Sequence, residues 1–149
     1  MFRKILVGID GSQRTQGVLE VAQQMARSCG ATIELLTAVD PAYALAETDG
    51  KPSHNDEIDY PAAAIEQEGI DAVMNTTLAR LRAEGFTVEG TVAAGAPIDL
   101  ILQTAKTKQC DLVILGHRHL SWFGKFTERS VSAGVLEAAT VPVLVVPPD

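Results

Sequence analysis

The sequence predicts an α/β fold, with one domain over residues 1–149 built on a five-stranded, doubly wound parallel sheet that carries helices on both faces. Three observations lead to this prediction. Near-continuous apolar runs recur along the chain, and such runs are typical of strands buried on both faces of a parallel sheet. Stretches with apolar residues at helical spacing separate these runs, which predicts the order β-α-β-α-β-α-β-α-β. The length of 149 residues is that of one domain.

The first strand and helix lie at the start of the chain. RKILVGID (3–10) is an apolar run that ends in Asp-Gly-Ser. Ser12 is the predicted N-cap of the helix that follows, and Gly30 is its predicted end. ATIELLTAVD (31–40) is the predicted second strand.

Residues 41–60 differ in character from the rest of the chain. They are rich in acidic residues and are interrupted by proline and glycine, which predicts a long, mobile insertion. A long helix is expected to begin near Pro61 and to end at Gly85, with a break possible at Gly69 because glycine weakens helices. Its predicted apolar stripe contains Ile70, Val73, Thr77, Leu78 and Leu81.

The second half of the chain continues the alternation. FTVEGTVAAG (86–95) is the third strand, Pro97 begins the next helix, and CDLVILG (110–116) is the fourth strand. A short helix over 130–139 and a fifth strand, VPVLVVPP (141–148), complete the pattern. The inward residues expected for the short helix are Val131, Val135 and Ala138.

Composition and charge exclude several classes of protein. Apolar residues make up 46% and charged residues 21% of the chain, as in ordinary globular domains. The net charge of −7 argues against binding to nucleic acid or to an anionic membrane surface. No apolar stretch reaches the length of a membrane helix, and the start of the chain is predicted as a strand rather than a signal peptide. The two cysteines, Cys29 and Cys110, lack CxxC spacing, so we expect a cytoplasmic protein with reduced thiols.

The candidate ligand site follows from the predicted sheet. In open α/β sheets, ligands bind at the carboxyl ends of the strands, near the point where strand order reverses. Residues at those ends are Asp10, Gly11, Ser12, Val39, Asp40, Gly95 and Gly116. Asp10 has two interpretations that the sequence leaves open: it accepts hydrogen bonds from a ribose or an amine, or it begins the turn into the first helix.

Motifs for catalysis and for metal binding are absent or incomplete. The chain has no Walker-type G-x-x-x-x-G-K-[ST], no G-x-G-x-x-G after the first strand and no G-x-S-x-G, so we predict no catalytic residues. His117 and His119 form an H-x-H pair, but spacing identifies no third ligand, so no metal site is predicted.

Taken in order, several stretches of the chain resemble a universal stress protein over its full length. They are ILVGIDGS, TAVD, AAGAPIDLILQTA, CDLVILG and VPVLVVPP. The resemblance implies a Rossmann-like, adenine nucleotide alpha hydrolase-like sheet, a homodimer and a role in survival under stress. It also implies a binding module rather than an enzyme, with a slow ATPase as the enzymatic alternative.

One branch of that family binds ATP through a loop of the form G-x2-G-x9-G-[ST]. On this chain Gly116 matches the first glycine and Ser130 the final hydroxyl, but His119 and Arg129 stand at the other two glycine positions. The strand ends and this loop together supply the candidate binding residues. These are Asp10, Gly11, Ser12, Val39, Gly95, Leu115, Gly116, His119, Arg129, Ser130 and Val131.

The two departures from the loop pattern act in opposite directions. A side chain where the loop needs a positive φ costs of order 1–2 kcal/mol. An arginine, however, can hold a phosphate through paired hydrogen bonds. Two functions therefore remain open: binding of ATP (with Mg²⁺) or AMP through the degenerate loop, and a nucleotide-independent role through dimerisation and contacts with an unknown protein partner. In both, VPVLVV is the expected dimer contact, because a last strand that is apolar on both faces suits a sheet edge.

Overall fold

The structure, a computed structural model, describes residues 1–10, 15–39, 60–116 and 131–147, with the backbone alone over 60–68. Three predicted features lie outside the described residues: the Ser12 cap, the insertion up to residue 59, and the loop over 117–130.

Five strands form one parallel sheet, in the order β3-β2-β1-β4-β5. This confirms the predicted fold class. The strands are β1 (Lys4–Gly8), β2 (Thr32–Val39), β3 (Val88–Ala94), β4 (Leu112–Gly116) and β5 (Val143–Val146). The last strand therefore lies at an edge of the sheet, as its sequence predicts.

Four helices within the described residues connect these strands. They are α1 (Thr15–Cys29), α2 (Tyr60–Ala83), α3 (Pro97–Thr107) and α4 (Val131–Ala138). Gly30 has a φ of 68° just after α1, which is the conformation that ends many helices. None of the described helices is long and apolar enough to cross a membrane.

The sheet separates two hydrophobic clusters. Ile5 and Val7 of β1 point to the face covered by α1 and α2, while Leu6 between them points to the face covered by α3 and α4. All three side chains are fully buried. Because successive side chains of a strand point to opposite faces, burial on both faces favours apolar residues at successive positions. This is why β1 reads as a continuous apolar run.

Two predicted side-chain positions in the helices are wrong, and the break that was possible in the long helix does not occur. Val73 is 40% exposed, and the neighbouring Met74 faces the core instead. Met74 lies three residues before Thr77 and four before Leu78, so it completes the buried side of α2, and Thr77, Leu78 and Leu81 are buried as predicted. Ala138 is exposed, because the buried face of α4 is confined to its first five residues. Gly69 does not break α2, which is continuous from Tyr60 to Ala83.

Asp111 and Glu34 are two acidic residues with structural roles or unusual burial, and both lie away from the carboxyl ends of the strands. The Asp111 carboxylate accepts hydrogen bonds from the backbone N–H groups of Arg3 (2.9 and 3.1 Å) and Lys4 (3.0 Å), which fixes the start of β1 beside β4. Glu34, in the middle of β2, is only 1% exposed, and its Oε2 has no hydrogen-bond partner among the described residues. Burial raises the pKa of Glu34, although Lys108 and Lys4 act against this effect.

The topology determines where a ligand site can form. From β1 the chain crosses through α1 to β2 on one side, while β4 lies on the other side of β1. Strand order therefore reverses between β1 and β4. The carboxyl ends of these two strands form the crevice in which open α/β sheets hold their ligands.

Candidate functional site

Asp10 is held at the end of β1 by the first residue of α1. The Thr15 hydroxyl donates a hydrogen bond to Asp10 Oδ1 at 2.8 Å, and the backbone N–H of Asp10 donates to Thr15 Oγ1 at 3.3 Å. Thr15 is buried, whereas Asp10 is half-buried. The contact supports the interpretation that Asp10 joins the strand to the helix. Contact of the half-buried Asp10 with a ligand stays a prediction.

The end of β4 lies beside the end of β1. The register pairs Val7 with Ile114, and two further residues along this register bring Ile9 opposite Gly116. Asp10 and Gly116 therefore leave the sheet at neighbouring points. The start of α1 is close as well, since a Cβ on Gly116 would lie 3.4 Å from Val18 Cγ2.

Val39 and Gly95 meet at the ends of β2 and β3. The backbone N–H of Gly95 donates to the Val39 carbonyl at 3.0 Å, so this N–H is already used within the protein. Gly95 has a φ of 146°, which side-chain-bearing residues rarely adopt. The structure places both candidates at the carboxyl ends of the strands. Their hydrogen bond extends the pairing of β2 with β3 by one residue beyond Ala94.

Three candidates have buried side chains and can offer a ligand only backbone groups. Val39, Leu115 and Val131 are each no more than 3% exposed and belong to the core. Val131 is the first residue of α4, which starts after the loop that follows β4. The N-terminal end of a helix carries a partial positive charge, which favours anions.

Five of the sequence-predicted site residues lie outside the described residues: Gly11, Ser12, His119, Arg129 and Ser130. The H-x-H pair lies there too. Among the residues that the structure does describe, no group of three or more His, Cys, Asp or Glu side chains is placed to hold a metal ion.

Chemically, the arrangement suits a ligand with hydrogen-bond donors at one end. A carboxylate accepts hydrogen bonds and donates none, so Asp10 matches a ribose hydroxyl or an exocyclic amine. The carboxyl end of β4 neighbours Asp10, and α4 is the next helix along the chain. In a doubly wound fold, the phosphates of a nucleotide would extend toward a strand end and helix start of this kind.

The comparisons with known proteins agree with this architecture. The sequence model of the universal stress protein family matches residues 1–147. The chain belongs to the universal stress protein family. The resemblance noted from the sequence is thereby confirmed.

A curated relative supports the family assignment, and solved structures support the fold, along the whole chain. Universal stress protein YxiE of Bacillus subtilis is 31% identical over 150 aligned positions, covering 98% of this chain and 99% of that protein. A universal stress protein solved in complex with cAMP shares the fold with a TM-score of 0.67 at 24% identity, covering 98% of this chain and 97% of that one. One from Archaeoglobus fulgidus in complex with dAMP has a TM-score of 0.63 at 21% identity, with 96% of each chain covered.

Sequence reasoning missed one residue of the site, Thr15. In the sequence it looks like an ordinary residue at the start of an amphipathic helix. The signal that could have identified it is a hydroxyl five residues after a strand-end aspartate, close enough to reach back once the helix begins.

Proposed function

We propose that the chain binds an adenine nucleotide, ATP or AMP, at the carboxyl ends of β1 and β4. The observation that carries the proposal is the Asp10 carboxylate, held in place at the point where strand order reverses. In this proposal Asp10 accepts a hydrogen bond from the ribose or the base. The Val39 backbone and the Leu115–Gly116 end of β4 contact the same part of the nucleotide, the ribose and the base.

The phosphates are proposed to lie toward the loop over 117–130 and the start of α4. The chemistry there suits an anion, because residues 117–130 contain Arg118, Lys125 and Arg129 against the single acidic Glu128. A helix N-terminus adds backbone donors and a favourable dipole. Two family members solved with cAMP and dAMP support adenine nucleotides as the ligand class. ATP would bring Mg²⁺ with its phosphates.

Native mass spectrometry and calorimetric titration test the proposal. We expect nucleotide to copurify or to bind on titration. Asp10→Ala should lower the affinity for AMP and for ATP by about tenfold or more, since a hydrogen bond to a charged group contributes roughly 1.5–3 kcal/mol. Glu20→Ala is the matched control, because it removes an exposed carboxylate from α1 away from the strand ends. Equal loss in both variants, or no binding by the wild type, contradicts the proposal.

The degenerate loop can be tested separately through the length of the phosphate chain. If Arg129 contacts the distal phosphates, Arg129→Ala should weaken ATP by about tenfold while changing AMP little. If the loop is instead a lost backbone cradle, ATP should bind only after glycine is restored at both His119 and Arg129. The two results separate a side-chain clamp from a degenerate cradle.

A second function, association of two copies through β5, is favoured by the position of this strand. β5 lies at a sheet edge, all four of its side chains are half-buried, and Leu136 on the adjacent α4 is 54% exposed. An edge strand presents backbone groups that can pair with a second copy. Sedimentation equilibrium should therefore give a dimer at micromolar concentration.

A proline substitution can weaken that pairing without breaking the sheet. The Pro142 carbonyl accepts from Val113 on β4, so along β5 the backbone of every second residue faces β4 and that of Val145 faces the edge. Val145→Pro should shift the equilibrium toward monomer, since proline is tolerated where its missing N–H faces outward. A wild-type monomer would refute this second function.

A further inference from the structure

The Thr15 hydroxyl makes two hydrogen bonds to Asp10, one as a donor and one as an acceptor. The hydroxyl proton goes to Asp10 Oδ1, and the hydroxyl oxygen receives the Asp10 N–H. Thr15 is 8% exposed and starts α1, so its own position is fixed by the helix and the core. A β-branched residue is also restricted at χ1, which limits the hydroxyl to few orientations.

We propose that Thr15 is a positioning residue of the nucleotide site, one that fixes the Asp10 carboxylate to receive a hydrogen-bond donor from the nucleoside. This inference rests on the proposed function. Thr15 does not touch the ligand in this proposal. It acts through Asp10, by holding the carboxylate in one orientation before the nucleotide arrives.

The chemistry predicts which ligand groups depend on Thr15. An ionised carboxylate has only acceptors, and the Thr15 hydroxyl donates to one of its oxygens, so the ligand group that meets Asp10 must be a donor. In an adenine nucleotide the available donors are the ribose hydroxyls and the exocyclic amine of the base. Orienting the carboxylate in advance lowers the entropy lost on binding, and this gain applies equally to AMP and ATP, because the phosphates lie elsewhere.

The experiment compares two substitutions at one position. Thr15→Val keeps the shape and removes the hydroxyl, whereas Thr15→Ser keeps the hydroxyl. We expect Thr15→Val to weaken AMP and ATP alike, by about threefold to tenfold, as one hydrogen bond warrants. Thr15→Ser should stay within about twofold of the wild type. Thr77→Val is the control, because the Thr77 hydroxyl donates to the Val73 carbonyl within α2 and its loss leaves Asp10 untouched.

A double-mutant cycle distinguishes positioning from a general loss of stability. In the Asp10→Ala background, Thr15→Val should cause no further loss of affinity, because the group it orients is gone. 2′-Deoxy-AMP, 3′-deoxy-AMP and inosine monophosphate then identify the donor: the analogue that lacks it should bind wild type and Thr15→Val equally.

Three results would overturn the inference. They are binding of AMP by Thr15→Val as tightly as by the wild type, an equal loss of affinity in Thr15→Ser and Thr15→Val, and a loss that persists undiminished in the Asp10→Ala background. Each of these leaves wild-type binding intact, so each refutes the role of Thr15 alone. Absence of nucleotide binding by the folded wild type refutes the proposed function, and the role of Thr15 with it.

Discussion

Replacing Glu34 with leucine should make the protein more stable at neutral and alkaline pH. Glu34 is 1% exposed in β2, between Leu6 of β1 and Glu89 of β3, and its Oε2 has no hydrogen-bond partner among the described residues. Leaving a buried polar group unsatisfied costs about 1–3 kcal/mol, and leucine fills a similar volume without that cost. We therefore expect Glu34→Leu to raise the free energy of unfolding by about 1–3 kcal/mol near pH 8.

The gain should depend on pH in a defined direction. Burial raises the pKa of Glu34 above its ordinary value, Lys108 and Lys4 lower it in part, and Glu89 raises it further. An acid with a raised pKa in the folded state stabilises the fold below its unfolded pKa, and that contribution is lost as pH rises through the folded pKa. The advantage of leucine should therefore be small near pH 5 and larger near pH 8.

Urea unfolding followed by circular dichroism measures this effect. With an m-value of about 2 kcal/mol/M, a gain of about 2 kcal/mol moves the midpoint by about 1 M. Glu20→Gln is the control, because it changes an exposed carboxylate on α1 that is not among the charges acting on Glu34, and it should alter stability by less than about 0.5 kcal/mol. A leucine variant that is no more stable near pH 8, or that gains equally at both pH values, would refute the reasoning.

Three further predictions concern other parts of the fold. Asp111→Ala should lower stability by roughly 1–2 kcal/mol near pH 7, and urea unfolding in acid should show a smaller deficit. Burial acts to raise the pKa of Asp111, but hydrogen bonds from the backbone outweigh it and lower the pKa, so the contribution of Asp111 to stability is lost as pH falls through the folded-state pKa. Gly95→Ala should cost about 1–3 kcal/mol because of its φ of 146°, whereas Gly69→Ala in open space on α2 should gain about 0.5–1 kcal/mol; thermal unfolding should show these opposite signs, and a gain at Gly95 would contradict the strain. Iodoacetamide should label half-buried Cys29 long before Cys110, because burial raises the pKa of the Cys110 thiol to about 11; equal labelling rates in the native protein would contradict this.

The fold class could be predicted from the sequence because its signals are local. The buried strands are mostly apolar runs, β3 alternates, and the helices repeat apolar residues at their own period, so element type and order follow without knowledge of contacts. Helix orientation is a different matter. Whether Val73 or Met74 faces the core depends on how α2 packs on β3, where Met74 lies close to Gly90, and no local pattern contains that information.

The candidate site was predictable in position but not in detail. Asp10, Val39, Gly95 and Gly116 all lie at or just after the carboxyl ends of strands, and these ends lie on the same side of a parallel sheet, so their grouping follows from the fold class. The hydrogen bonds among them do not. That Gly95 donates to Val39, and that Thr15 reaches back to Asp10, depends on the relative lengths of strands and turns, which only the folded backbone determines.

The central claim is that an adenine nucleotide binds at the carboxyl ends of β1 and β4. The most direct test is to record backbone amide chemical shifts during a titration with AMP. The account predicts that the amide signals of Asp10 and Gly116 shift with increasing nucleotide. Those of Arg3 and Lys4, at the amino end of β1, should stay in place. Signals that all remain unmoved at saturating AMP and ATP, or shifts concentrated around Arg3 and Lys4, would contradict the account.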